Sequence, residues 1–79
     1  MKINEYDVVA LTEDHTATHA HTQQALMLRR GQVGTILMIF QDQNVLIDFA
    51  DSTGQTYAME TVSIEKIMPL LHEPVVAVA

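Results

Sequence analysis

Leu28–Phe40, LRRGQVGTILMIF, is the stretch whose reading decides the fold. Two basic residues lead into Gly31, Gly34 follows three residues later, and Ile36–Phe40 is unbroken apolar chain. Glycine suits a backbone that needs a positive φ or that lies close against another strand. The β-branched residues Val33, Thr35 and Ile36 favour extended chain. Five apolar residues are the length of a strand and short for a helix. Periodicity alone leaves a buried helical segment open, but the glycines before the run and the turn-forming Gln41–Asn44 after it favour the strand. The stretch is expected to be a turn followed by the central strand of a small β-barrel. A barrel strand buries one face and exposes the other. Here both faces are apolar, so one of them needs a partner within the chain or outside it.

Downstream, Val45–Ala50 alternates, with Val45, Ile47 and Phe49 as the core set and Leu46, Asp48 and Ala50 opposite. Asp51–Gly54 is a turn with glycine at its last position. Gln55–Glu60 returns as the next strand, Tyr57 and Met59 on one face and Ala58 on the other, so the two segments form a hairpin. Ser63 is placed to cap one short helical or 3-10 turn. Ile67–Leu71 is the last strand, and Pro69 within it demands a sheet edge or an early end. The segment Glu73–Ala79 is apolar and β-prone, either frayed or docked on a sheet edge, another subunit's included. Upstream, Ile3–Leu11 is expected as the first strand, closed by Thr12-Glu13-Asp14. His15–Gln24, HTATHAHTQQ, is a polar insert, and loop, hairpin arm and helical turn all remain open for it. Several short strands with almost no helix indicate an all-β fold. The expectation is a five-stranded SH3-like barrel over residues 1–72, with the polar insert at 15–24, one short helical or 3-10 turn near the C-terminus, and an apolar tail at 73–79.

Seventy-nine residues make one domain with a modest core, burying roughly 60% of the surface of the unfolded chain. That leaves little room for a deep catalytic cleft. The absence of cysteine excludes disulfides, thiolate metal sites and a cysteine nucleophile. The first residues lack the basic start and apolar centre of a signal peptide, and no apolar run approaches the ~18 residues of a membrane span. The chain is therefore read as soluble and cytoplasmic. Ten acidic residues against four basic ones give a net charge of −6. Only Arg29 and Arg30 are clustered among the cations, which argues against nucleic acid as a partner.

The segments YDVVALTED, LRRGQVGTI, VLIDFADSTGQTYAM and IEKIMPL resemble a family of small bacterial proteins grouped as a domain of unknown function. Its pattern runs DVVAL…RGQVGTIV…VEF.D..G.TYAL. The resemblance covers about Tyr6 to Leu71 and rests on the order and spacing of its motifs. It implies an SH3-like barrel and no established activity. It also suggests an antitoxin-like, partner-binding role, because some members are associated with toxin-like neighbours. This chain has Met38 and Leu46 where the family pattern usually has acidic residues. More distantly, GQVGTI is similar to the glycine turn of KOW barrels, which bind RNA.

Three constellations carry candidate chemistry. His15 and His19 stand at i, i+4, as on one helix face, and His19 and His21 at i, i+2, as on one strand face; three imidazoles with a fourth ligand from Asp14, Glu13 or water would suit Zn²⁺, Ni²⁺ or Cu²⁺. No single regular element presents all three, so a solvated polar loop is the plainer reading. Arg29 and Arg30 beside Gly31 could meet an anion or a carboxylate of a partner; strand-end charges are the plainer alternative. Asp48, Asp51 and Glu60 are read as a solvated face rather than a general acid–base pair. No activated nucleophile, phosphate loop or cofactor motif is present. The apolar residues Ile36, Met38 and Phe40, with Leu46 nearby, are expected to point outward as an interface. The leading expectation is a non-enzymatic interaction module that self-associates or binds another protein through Ile36, Met38, Phe40, Leu46, Arg29 and Arg30. A metal-binding protein and an RNA-binding barrel are the alternatives.

Overall fold

The computed structural model describes residues 2–77. Its strands are β1 (Val8–Leu11), β2 (His15–Thr18), β3 (Ala25–Leu28), β4 (Val33–Ile39), β5 (Asn44–Ala50), β6 (Thr56–Ser63) and β7 (Ile67–Pro69). A single 3-10 turn, Ile64–Lys66, joins β6 to β7. Ser63 caps that turn, its Oγ accepting the Glu65 N–H at 3.3 Å. Five strands form one antiparallel sheet in the order β6-β5-β4-β1-β7. The stretch Leu28–Phe40 thus supplies the middle strand, as its glycines and apolar run predict. β2 and β3 form a separate two-stranded sheet.

The inner face of the five-stranded sheet is the core. Val9, Leu11, Ile36, Val45, Ile47, Phe49, Ala58, Val62 and Ile67 are all buried on it. The β2–β3 hairpin lies over this face and adds Ala17 and Leu28 to the same cluster. Two layers therefore share one apolar interior, the usual solution for a sheet with one greasy face. Strict alternation in β5 delivers Val45, Ile47 and Phe49 to the core, each fully buried, as expected from the sequence.

The expected five-stranded barrel is corrected to seven strands in an open five-stranded sheet with a covering hairpin. The ladder does not close, because β6 meets the hairpin through isolated bonds. The Ala20 N–H donates to the Tyr57 carbonyl at 2.8 Å, and the Thr18 N–H donates to the Glu60 carboxylate at 3.3 Å. The first strand is also shorter than expected. Residues 4–7 form a turn, with the Asp7 N–H donating to the Asn4 carbonyl and the Asn4 N–H donating to Asp7 Oδ2 at 2.8 Å. Tyr6 sits there at φ 72°, a conformation uncommon for a bulky residue. The polar insert resolves into β2 and the turn that follows it. The last strand ends at Pro69 on the edge of the sheet, where proline is tolerated. Glu73–Ala77 is exposed and joins no strand; Val78 and Ala79, also assigned to the tail, lie outside the described residues.

Two positions show why the hairpin and the central strand form where they do. Asp51 organises the β5–β6 turn: its Oδ1 accepts from the Thr53 hydroxyl at 2.6 Å, the Thr53 N–H at 2.9 Å and the Gln55 N–H at 3.1 Å. Gly54 follows at φ 87°, which glycine adopts without steric cost. These bonds, the Thr53 hydroxyl first, hold the Asp51 carboxyl below its ordinary value of 3.8. Gly34 is buried in β4, and a Cβ there would lie 2.5 Å from Ile47 Cγ2 and 3.0 Å from both the Asp48 carbonyl and Phe49 Cδ1.

Gly34→Ala is expected to lower stability by about 1–3 kcal/mol through overpacking, read as a lower urea midpoint with an unchanged slope. Asp51 binds its proton less readily in the folded chain than in the unfolded one. Its contribution is full above the ordinary carboxylate value and is lost as pH falls through the lower folded value. Asp51→Asn should therefore flatten the acid limb of a stability–pH profile while leaving its neutral-to-alkaline shape intact.

Candidate interaction surface

A β-bulge governs which side chains of β4 reach the surface. Ile36 pairs with Ile47, but Met38 pairs with Leu46, so the register shifts between them. Directly opposite residues share a face. Ile36 therefore turns inward with Ile47 and is fully buried, while Met38 turns outward with Leu46 and is 47% exposed. The expectation that Ile36 shares an exposed face with Met38 is corrected: the extra residue breaks the two-residue alternation on which it rested. Phe40 donates its N–H to the Asn44 carbonyl at 2.8 Å, continuing the shifted register just beyond β4, and it is exposed.

The outer face of the sheet continues in both directions from Met38 and Leu46. Asp48 stands between Thr35 and Met59 in the register, and Val8 is opposite Thr35. Ala10 lies between Val33 and Met68. Val8, Val33, Met59 and Met68 are all exposed large apolar side chains, Met68 at 52%. Asp48 is the one charged residue on these paired outer positions, and its Oδ1 accepts the Thr56 hydroxyl at 2.6 Å. Tyr6 stands at one end of this surface, 73% exposed, with its N–H donating to the Ile36 carbonyl at 2.6 Å. Sequence reasoning finds Met38, Phe40 and Leu46 here and misses Tyr6, Val8, Val33, Met59 and Met68. Met59 was within reach, since the alternation already sets it on the face opposite Ala58, which the structure buries. Val8 and Met68 were not, because their face depends on β1 pairing with both β4 and β7.

Arg29 and Arg30 occupy the turn between β3 and β4, apart from Met38 and Leu46 along the chain and exposed. The Arg30 N–H donates to Asp14 Oδ1 at 2.9 Å, and Gly31 follows at φ 91°. Among the described residues neither guanidinium is in an ion pair, whereas Lys66 is held by Glu13 at 3.2 Å. Arg29, Arg30, Gln32 and Asp14 line an open depression that reaches Val33 and Ala50 on the outer face.

The histidines are dispersed by use. His15 Nε2 lies 3.2 Å from Glu60 Oε1. His19 Nδ1 accepts the N–H groups of His21 at 3.1 Å and Thr22 at 3.2 Å, which shapes the turn after β2. The His19 and His21 ring centres are 5.9 Å apart. Among the described residues, no three His, Asp or Glu side chains are gathered as metal ligands would be. The three carboxylates grouped in the sequence are also separated. Asp48 is on the outer face and Asp51 in a turn. Glu60, expected outward, is paired opposite core residue Ile47 on the inner face. There it accepts from the Thr18 N–H and meets His15, tying the hairpin to β6.

Glu60→Ala should cost about 1.5–3 kcal/mol, the scale of lost hydrogen bonds to a charged acceptor. The measurement is chemical denaturation together with amide exchange, in which the Thr18 amide is expected to lose protection while the β4–β5 amides keep theirs.

Compared with known proteins, the chain matches the model of DUF4926, described as a domain of unknown function, over residues 5–69. No curated protein matches it, and no solved structure does. The matched region runs from the turn before β1 to the end of β7 and so takes in every strand. The chain belongs to the DUF4926 family.

Proposed function

We propose that this protein is a non-enzymatic interaction module that docks another protein surface, its own copy's or a partner's, on the outer face of its five-stranded sheet. The observation that carries this reading is the contiguous set Val8, Val33, Met38, Leu46, Met59 and Met68, exposed or half-buried around a single carboxylate. A small acidic protein places most of its charges toward water. A broad face holding one charge out of fourteen charged residues is the signature of a surface that is covered in use. Apolar sheet faces pack on other sheets about 10 Å apart.

The strand order β6-β5-β4-β1-β7, the hairpin inserted between β1 and β4 and the 3-10 turn leading into the last strand support an SH3-like arrangement, a fold that often serves as a binding module. The absence of cysteine fits a reducing compartment such as a bacterial cytoplasm.

The test is solution mass by light scattering across protein concentration, on wild type and Met38→Glu/Leu46→Glu. Both substitutions are on the outer face, so the fold should persist. A wild-type assembly that dissociates into folded monomers in the variant is the expected result for self-association. A monomeric wild type requires a purified candidate partner whose binding the two glutamates abolish. Assembly and partner binding that both ignore the glutamates would sink the reading.

A further inference from the structure

The covering hairpin leaves the outer edge of β3 open. Among the described residues, β3 is hydrogen-bonded to β2 alone. The His19 N–H donates to the carbonyl of Gln24, directly opposite it in the β2–β3 register. Bonded pairs alternate along an antiparallel ladder. Ala17–Leu26 and His15–Leu28 therefore exchange the bonds, and the backbone groups of Ala25 and Met27 face away from β2. Leu26, Met27 and Leu28 in succession line an open groove, with Tyr57 and Gln32 also on its wall. Three consecutive residues line a groove when a strand presents its edge rather than a face. The groove adjoins the depression that holds Arg29 and Arg30.

The other sheet edges are less available. The β2 and β6 edges approach each other, joined by the Ala20 N–H to the Tyr57 carbonyl and the Thr18 N–H to the Glu60 carboxylate. The β7 edge is three residues long and ends in proline.

The chain also carries an unpaired segment of matching chemistry. Glu73–Ala77 reads EPVVA, with Val75 at 90% and Val76 at 86% exposure. We infer that this segment of a second copy adds to the free edge of β3 as an antiparallel strand, with Glu73 opposite Arg29. From Glu73 to Ala77 and from Arg29 back to Ala25 are both four residue steps, about 14 Å of extended chain at roughly 3.4 Å per residue. In that register Val75 faces Met27 and Ala77 faces Ala25, the two β3 residues whose backbone groups are free. Pro74 falls opposite Leu28, at a position that makes no ladder bond, so its missing N–H costs nothing. Val76 shares the face of Leu26 and enters the groove. Two copies exchanging arms reciprocally make two such contacts and close the pair. The carboxylate-to-arginine contact sets the register, and the main-chain bonds hold the strand, as in other strand additions.

The experiment is light scattering with full-length chains, paired with amide exchange. The wild type should reach dimer mass with rising concentration, and protection of the Met27 and Ala25 amides should rise in step. Glu73→Arg, and separately Arg29→Glu/Arg30→Glu, should each raise the dimer dissociation constant by about tenfold or more. Combining the three substitutions should restore it. Val75→Pro removes the strand bond from an exposed residue without touching the fold and should also dissociate the pair. A wild type that stays monomeric overturns the inference, as does Met27 protection independent of concentration, which would place the segment on its own chain. A dimer indifferent to Glu73→Arg and Val75→Pro but broken by Met38→Glu/Leu46→Glu overturns arm exchange and leaves the outer face as the contact. The converse pattern upholds arm exchange and removes self-association from the outer face.

Discussion

The central strand has hydrogen-bonded neighbours on both sides and apolar residues on both faces, and the structure follows from how that strand is accommodated. Gly34 lets β4 lie against the Ile47 and Phe49 side chains of β5 where any Cβ would collide. Past that close approach, Ile36 can enter the core. The bulge then shifts β4 by one residue against β5, so Met38 turns outward beside Leu46 and Ile39 takes the inner position opposite Val45. Without the bulge the alternation would carry Met38 inward with Ile36. A bulge bends and twists its strand, and it occurs in β4 on the way to its less buried end.

The hairpin makes the inner face a core. Its two strands contribute only Ala17 and Leu28 to the buried cluster, with Leu26 partly buried against it. Most of its remaining residues are polar because its other side faces water, although Met27 is exposed there. Two anchors fix it over β6: the Tyr57 carbonyl taking the Ala20 N–H, and the Glu60 carboxylate taking the Thr18 N–H beside His15. The half-buried Glu60 is satisfied by these contacts, which avoids the penalty of an unpaired carboxylate against an apolar interior. His15 and His19 are thereby committed to structural contacts, one bridging the two sheets and the other building a turn.

Charge distribution separates the surfaces by role. Lys66 is neutralised by Glu13, while Arg29 and Arg30 project from the turn after β3. Phosphate-backbone affinity scales with the number of phosphates neutralised, and on this chain of net charge −6 only two cations stand together. The pair suits single carboxylates on a protein segment. The broad outer face and the narrow β3 edge are different kinds of surface, one a broad apolar face, the other a strip of backbone donors and acceptors ending in charge.

The sequence by itself determined the elements whose signal is local. The β5–β6 hairpin was legible from the alternation of Val45, Ile47 and Phe49 and from the Asp51–Gly54 turn, because neighbours in the chain are neighbours in that sheet. The Ser63 cap and the edge position forced by Pro69 were legible for the same reason. Met38 and Leu46 could be placed side by side through the short turn between their strands. Tertiary structure alone decided the rest. The inward turn of Ile36 depends on a one-residue register shift that no periodicity in an all-apolar run reveals. The outer-face places of Val8, Val33 and Met68 depend on β1 pairing across distant segments. The role of HTATHAHTQQ depends on a core it covers rather than on any period of its own. In each case the deciding energy comes from contacts between residues far apart in the chain, and a local pattern carries no record of them.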